Sequence, residues 1–389
     1  MFKSGMPVKG KNFIDRTEHL KKFNIYLQNH QHIMIKAPRR YGKTSLVVQL
    51  FELNDYKKIY VDIKRATSLK QLASQIIDEV YAIAGFSGII QKASKSITTL
   101  FKQLRASVSL NIDTIELTLE KLELNTKNEI EEMEYFLYSL DLVEKIAQEK
   151  DINIKFAMDE FQDILNIASS SILDKVRSVM QDHQNVTYIF LGSIETIMNK
   201  IFSSKSSPFF HFTRVIDLGG FDVDELLIYT KKFFDKQDIV YDDSLTKVLH
   251  YLEGHPYYSV KTLQIIHYGS LETANKLITT KECIEALTTA LYETKPYLEE
   301  IIEKVKVKKH HHIVLWSLAN EKKVENLDSP TLYKTYSSLQ DMGYIKKQQR
   351  GEYIITDIFL KIMLQQNNDI SFTIDNKIIF KDLVLKGKK

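Results

Sequence analysis

Ala37-Pro38-Arg39-Arg40-Tyr41-Gly42-Lys43-Thr44-Ser45 is the stretch that decides how this chain folds. The apolar run Ile33-Met34-Ile35 precedes it, and an amphipathic stretch, Leu46 to Phe51, follows. The pattern predicts a strand, a tight loop, and then a helix that opens at Gly42-Lys43-Thr44. Such a loop turns backbone N–H groups inward, and the helix N-terminus adds the positive end of its dipole. A nucleotide phosphate fits there, with Lys43 reaching the β- and γ-phosphates and the Thr44 hydroxyl ligating Mg²⁺. Ala37, Pro38, Arg39, Arg40, Tyr41 and Ser45 are expected to line the same cradle. Loops of this type usually open with Gly, and Ala37 holds that position here. Alanine is tolerated where φ is negative, at some loss of loop freedom.

A Gly-Lys-Thr tripeptide alone also suits an exposed basic turn. The second motif decides between the two readings. Ile152-Asn153-Ile154-Lys155-Phe156-Ala157-Met158 is a mostly apolar run that ends in Asp159-Glu160. A strand ending in Asp-Glu supplies what a phosphate loop needs beside it. Asp159 is placed to hold the Mg²⁺ shell, and Glu160 to polarise an attacking water.

The chain has 389 residues, enough for two or three domains. It is 44% hydrophobic and 26% charged, which suits packed cores under a charged surface. No apolar run reaches the length of a membrane span, and Met1 to Pro7 lacks the apolar core of a signal peptide, so a cytoplasmic protein with no membrane partner is expected. The single cysteine, Cys283, cannot form an internal disulfide, which fits a reducing compartment. Net charge is +3, but residues 301–389 carry 16 Lys and Arg against 10 Asp and Glu, leaving the remainder at −3. A basic C-terminal quarter has the sign expected of a nucleic-acid contact, or of a merely solubilising surface.

Further strand-like runs are Lys58 to Ile63, Val186 to Leu191 and Val215 to Leu218, with a helix over about Ile172 to His183. Strands alternating with helices predict an α/β fold, a parallel sheet covered on both faces, with ligands at the C-terminal strand ends. Residues 107–124 alternate apolar and polar with period two and predict a hairpin insertion over about 105–125. The first domain therefore spans 1–220. From Phe221 to about Lys304 the pattern is helical, with Asp222 and Asp224 as candidate caps and a break at Gly254-His255-Pro256. A third unit covers 305–389: a helix around Ile313 to Leu318, another over Ser329 to Met342, then Tyr344 to Lys347 paired with Tyr353 to Ile355. Helix, helix and a two-stranded wing is the order of a winged-helix domain. His310-His311-His312 does not form a metal site, because adjacent helical residues point apart.

Taken together, these motifs resemble one family: the archaeal-type P-loop ATPases of the STAND/AAA+ group, relatives of the Orc1/Cdc6 initiators. The resemblance covers nearly the whole chain. It starts at Phe13-Ile14-Asp15-Arg16-Thr17-Glu18, a partial match to the family's opening motif with Asp15 in place of Gly. The loop Pro38-Arg39-Arg40-x-Gly42-Lys43-Thr44-Ser45 is its most specific element. The resemblance implies a P-loop NTPase core of AAA+/ASCE type, a helical lid and a C-terminal winged helix, with ATP and Mg²⁺ as cofactors. It implies that Phe13 and Ile14 lie against the adenine and that Pro256, in Gly254-His255-Pro256-Tyr257-Tyr258, packs near it. Ser193, ending the fourth strand, would be sensor 1, contacting the γ-phosphate or water; a plain helix cap is an equal reading of Leu191-Gly192-Ser193. Arg214 would act as an arginine finger in a neighbouring subunit of a homo-oligomer. The expected function is a slowly hydrolysing ATP switch whose winged helix contacts double-stranded DNA or a protein partner. Its second helix would present Thr331, Lys334, Thr335 and Ser338. The alternative is a non-enzymatic DNA-binding or protein-interaction scaffold regulated by nucleotide.

Overall fold

The structure is a computed structural model, and it describes residues 2–14, 16–84, 129–193, 195–349 and 351–365. The hairpin expected over 105–125, Asp15 and the basic end of the chain lie outside the described residues.

Five parallel strands form the central sheet: β1 (Ile33–Lys36), β2 (Lys57–Asp62), β3 (Ile154–Asp159), β4 (Val186–Gly192) and β5 (Arg214–Asp217), in the order β2-β3-β4-β1-β5. Every residue of β3 and β4 is buried, which is why these interior strands read as nearly unbroken apolar runs. The edge strands differ. Lys57 and Lys58 open β2 in solvent, and only Ile216 of β5 is buried. Charge and brevity at the edges oppose pairing with other chains.

Helices cover both faces. They are α1 (Thr17–Gln28), α2 (Lys43–Leu53), α3 (Leu69–Ala84), α4 (Glu129–Glu149), a single turn α5 (Ile164–Ile167), α6 (Ile172–Met180) and α7 (Glu195–Phe202). Strand side chains alternate between two cores, as period two requires. Met34, Phe156, Met158, Tyr188 and Phe190 face α3, α4 and α6. Ile33, Ile35, Ala157, Ile189 and Leu191 face α1 and α2. Phe190 is the centre of an aromatic cluster with Phe161, Phe202 and Phe209, at ring separations of 4.7 to 5.7 Å.

Four helices follow the sheet: α8 (Val223–Asp235), α9 (Asp243–Tyr251), α10 (Pro256–Thr273) and α11 (Thr280–Lys306). Asp222 caps α8 by accepting from the Asp224 and Glu225 N–H groups, so the cap is Asp222 and Asp224 lies in the first turn. Two-residue strands β6 (Val240–Tyr241) and β7 (Leu277–Ile278) pair in parallel between them. The C-terminal unit comprises α12 (His311–Ala319), α13 (Ser329–Asp341), the antiparallel pair β8 (Ile345–Gln349) and β9 (Glu352–Ile355), and α14 (Ile358–Gln365). Its apolar residues, among them Leu315, Leu339, Phe359 and Leu360, join those of α8 to α11 in one continuous core. Thr335 is buried and its hydroxyl donates to the Thr331 carbonyl, so α13 does not present it outward as the sequence reading expected. Thr335 stands one turn before the buried Leu339 and shares its inward face. Ser338 accepts from Lys308 Nζ at 3.4 Å.

Candidate functional site

The loop between β1 and α2 leaves the sheet at the C-terminal end of a strand flanked by β4 and β5. Ala37 is buried and is not among the residues with positive φ, so the missing glycine costs no backbone strain. Gly42 is the position that needs one: at φ +83 it is the N-cap of α2. Arg40 also lies in the left-handed region, at φ +67. No side chain caps the first turn of α2, which leaves its N–H groups without a capping acceptor. Lys43 is buried and donates from Nζ to the Ala37 and Pro38 carbonyls at 2.9 and 3.1 Å.

Asp159 joins this loop to the rest of the site. Thr44 Oγ1 donates to Asp159 Oδ2 at 2.6 Å, and the Tyr60 hydroxyl makes a short hydrogen bond to the same oxygen. Asp159 Oδ1 accepts from the Glu160 N–H at 2.9 Å. Burial, followed by the Asp159 charge, pushes the Tyr60 phenol up, so it stays protonated as a donor. The two positions meet because β2 and β3 run in register, Tyr60 opposite Ala157 and Asp62 opposite Asp159.

Glu160 sits at φ +51, just past the strand, and is held from two sides. Ser193 Oγ donates to Glu160 Oε2 at 2.6 Å, and Gln162 Nε2 donates to the same oxygen. Burial would raise the Glu160 carboxyl, but the Ser193 and Gln162 hydrogen bonds and the Lys43 and Arg39 charges outweigh it and hold the group below its usual range. Ser193 therefore contacts Glu160 directly. Gly192 allows the close packing behind this pair: a Cβ there would stand 2.3 Å from Met198 Cγ and 2.7 Å from Gln162 Oε1.

A cavity of about 420 Å³ runs along these groups. Its polar lining includes Gly42, Lys43, Thr44, Ser45, Arg39, Arg40, Lys64 and Glu160. Phe13, Ile14, Phe221, Pro256, Tyr257 and Val260 are among its apolar lining, so the residues expected beside an adenine line the same cavity as Lys43 and Thr44. The chain from Lys3 to Val8 forms a further wall. This segment ties two parts of the molecule together. Phe2 is buried against Phe233, at a ring separation of 4.9 Å, while the Val8 and Gly10 N–H groups donate to Ser45 Oγ and Gln49 Oε1.

The loop also touches the helices beyond the sheet. The Arg40 guanidinium lies between Tyr257 and Tyr297, 4.4 and 4.2 Å from their ring centres. Tyr41 packs edge-on against His255 at 4.7 Å, and His255 stacks on Tyr258 at 4.0 Å. Tyr258 is fully buried, stacks on Phe359 and donates to Asp357 Oδ2 at 2.6 Å. Asp357 Oδ1 accepts from the Phe359 and Leu360 N–H groups at the start of α14. A line of contacts thus runs from the loop through α10 into the C-terminal unit. A second cavity, of about 360 Å³, lies beside that line, with Arg39, Ser193, Lys304 and Asp357 on its walls.

Of the residues expected to line the cradle, Ala37 is buried and Pro38 and Tyr41 line the second cavity rather than the first, and Arg214 stands apart altogether. Arg214 opens β5, at the opposite end of the sheet from Lys43 and Asp159, with its guanidinium 5.1 Å from the Tyr26 ring. Sequence reasoning missed Tyr60, Gln162 and the role of Arg16. Arg16, buried, donates to the Tyr41 and Gly219 carbonyls at 3.1 and 2.8 Å and so pins the loop to the exit of β5. Tyr60 could have been found from its place between the buried Ile59 and Val61, on the opposite face of β2.

The sheet order, the loop and the Asp159 contact together make an α/β fold of the P-loop NTPase type. Several solved structures share this fold. A Walker-type ATPase of Pyrococcus abyssi matches over 94% of this chain and 99% of its own, with a TM-score of 0.66 and 18% identity. The ORC2 protein of Aeropyrum pernix matches over 92% of this chain, with a TM-score of 0.55 and 11% identity for its ADPNP–ADP complexes (97% of that chain) and 0.51 and 10% for its ADP form (95%). At these identities the likeness is one of fold. No protein-family model matches the chain, and no curated protein does.

Proposed function

We propose that this protein is an ATP-binding, slowly hydrolysing switch whose nucleotide state is passed to the C-terminal unit. The observation that carries the proposal is the 2.6 Å contact of Thr44 with Asp159 beside the buried Lys43, where Thr44 and Lys43 line a cavity that Phe13, Ile14, Phe221 and Pro256 also line. The polar lining suits phosphates and the apolar lining a base. Phe13, Ile14 and Pro256 are placed for the adenine, and the loop from Ala37 to Ser45 for the phosphates.

The donor set fits Mg²⁺. Thr44 Oγ1 and Asp159 Oδ2 are hard oxygens that already converge, and Mg²⁺ takes one or two protein oxygens alongside phosphates and water. Bound there, the ion would neutralise charge on the β- and γ-phosphate oxygens. Glu160 orients the attacking water, and Ser193 fixes the carboxylate for that task. Arg214, exposed at the far end of the sheet, is available to a neighbouring subunit rather than to its own site.

The C-terminal unit has the element order of a winged helix, and its outer surface carries Lys334, Lys346 and Lys347, which favours double-stranded DNA as the partner. A protein partner on the same unit is the second reading, and nucleotide-regulated scaffolding without turnover is the third. Phosphate release together with binding of a fluorescent ATP analogue tests the enzyme reading. Glu160→Gln should bind as wild type does and lose turnover; hydrolysis at the wild-type rate would remove Glu160 from its role. A mobility shift that weakens steeply with salt supports DNA, and no shift at low salt counts against it.

A further inference from the structure

The chain contains no arginine between Arg214 and Arg350, so all four helices from α8 to α11 lack one. No guanidinium can therefore reach the phosphates from that side. The loop itself carries two, at Arg39 and Arg40, and the structure gives them different surroundings. Arg40 is held between Tyr257 and Tyr297. Arg39 is exposed and makes no hydrogen bond or ion pair with another described residue. It lines both cavities, and so stands at the junction where Lys43 and Glu160 meet Ser193.

We infer that Arg39 is a catalytic residue acting in cis, the cation that neutralises the transferring γ-phosphoryl group in its own subunit. The inference rests on the ATPase reading above. A γ-phosphoryl beside Lys43 and facing Glu160 falls next to Arg39, four residues before Lys43 on the same loop. The Arg39 charge already acts on Glu160, where it is one of the influences that lower the carboxyl. In the reaction the water oxygen bonds to the γ-phosphorus as the bond to the β,γ-bridging oxygen breaks. The electron pair of that bond leaves with ADP, and one water proton passes to Glu160 and then to the released phosphate. Arg39 transfers no proton; its planar fork of donors matches charge spread over the equatorial oxygens. Lys64, a further cation on the cavity wall, is a single point charge reached from β2.

Wild type, Arg39→Ala and Arg39→Lys should be compared by single-turnover hydrolysis of γ-labelled ATP and by equilibrium binding of ADP. Arg39→Ala should keep ADP affinity and lose turnover by about 10³-fold. Arg39→Lys should recover little of it, and non-denaturing guanidinium chloride should recover part. Addition of Lys43→Ala protein, which carries an intact Arg39, should not restore Arg39→Ala. Unchanged turnover in Arg39→Ala overturns the inference, and so does restoration by the Lys43→Ala protein, which would place the arginine in trans. Failure of wild type to bind ATP would instead remove the ATPase reading beneath it.

Discussion

Acidification should weaken this protein through His255, and the size of the effect follows from its position. His255 is buried at the N-terminus of α10, between Tyr41 of the loop and Tyr258 of α10 itself. Its Nδ1 accepts from the Tyr258 N–H at 3.4 Å, a role that requires the neutral ring. Burial, with a smaller contribution from the Arg40 charge, pulls its pKa down to about 3 from 6.5. Between these values the unfolded chain binds a proton that the folded chain does not, so stability rises with pH across that window and falls as pH drops below about 6.5. From pH 7.5 to 5.5 the unfolded-state titration alone gives a loss of about 1.4 kcal/mol. His255→Asn keeps a good helix cap and removes the titration. Urea unfolding followed by Trp316 fluorescence, at both pH values, should show the variant losing about 1.4 kcal/mol less than wild type. The comparison removes the contribution of His32, whose pKa burial lowers to about 4. Equal losses in the two proteins would refute the reasoning.

Other consequences can be measured directly. Tyr258→Phe leaves Asp357 without its 2.6 Å donor and should cost about 1–3 kcal/mol by denaturant titration. Gly192→Ala puts a methyl against Met198 and Gln162; it should cost about 1–3 kcal/mol in a thermal melt and slow phosphate release by moving the Gln162 partner of Glu160. Gly254→Ala, at φ +64 with a Cβ 2.2 Å from the Phe221 carbonyl, should cost about 2–3 kcal/mol and separate α10 from the loop.

Much of the sheet was legible in the sequence because interior parallel strands cannot hide: β3 and β4 are apolar on both faces, and each ends where the polarity of the site begins. Lys43, Thr44, Asp159 and Glu160 were legible for a related reason, since each belongs to a short motif tied to a strand end. What escaped was long-range. Arg40 meets Tyr297 and Arg16 meets Gly219 across more than 200 residues, and no local pattern encodes such contacts. Thr335 was misjudged because its hydroxyl suggested an outward contact, although its spacing from Leu339 places it on the inner face. Ala37 looked like a defect in the loop, yet the positive φ falls at Arg40 and Gly42 instead.

Isothermal titration of wild type and Lys43→Ala with ATP and Mg²⁺ tests the central claim most directly. The buried Lys43, which donates to loop carbonyls at 2.9 and 3.1 Å, should turn to the phosphates, so wild type should bind one ATP per chain and the variant bind far more weakly. Equal affinity in the two proteins, or no binding to either, would contradict it.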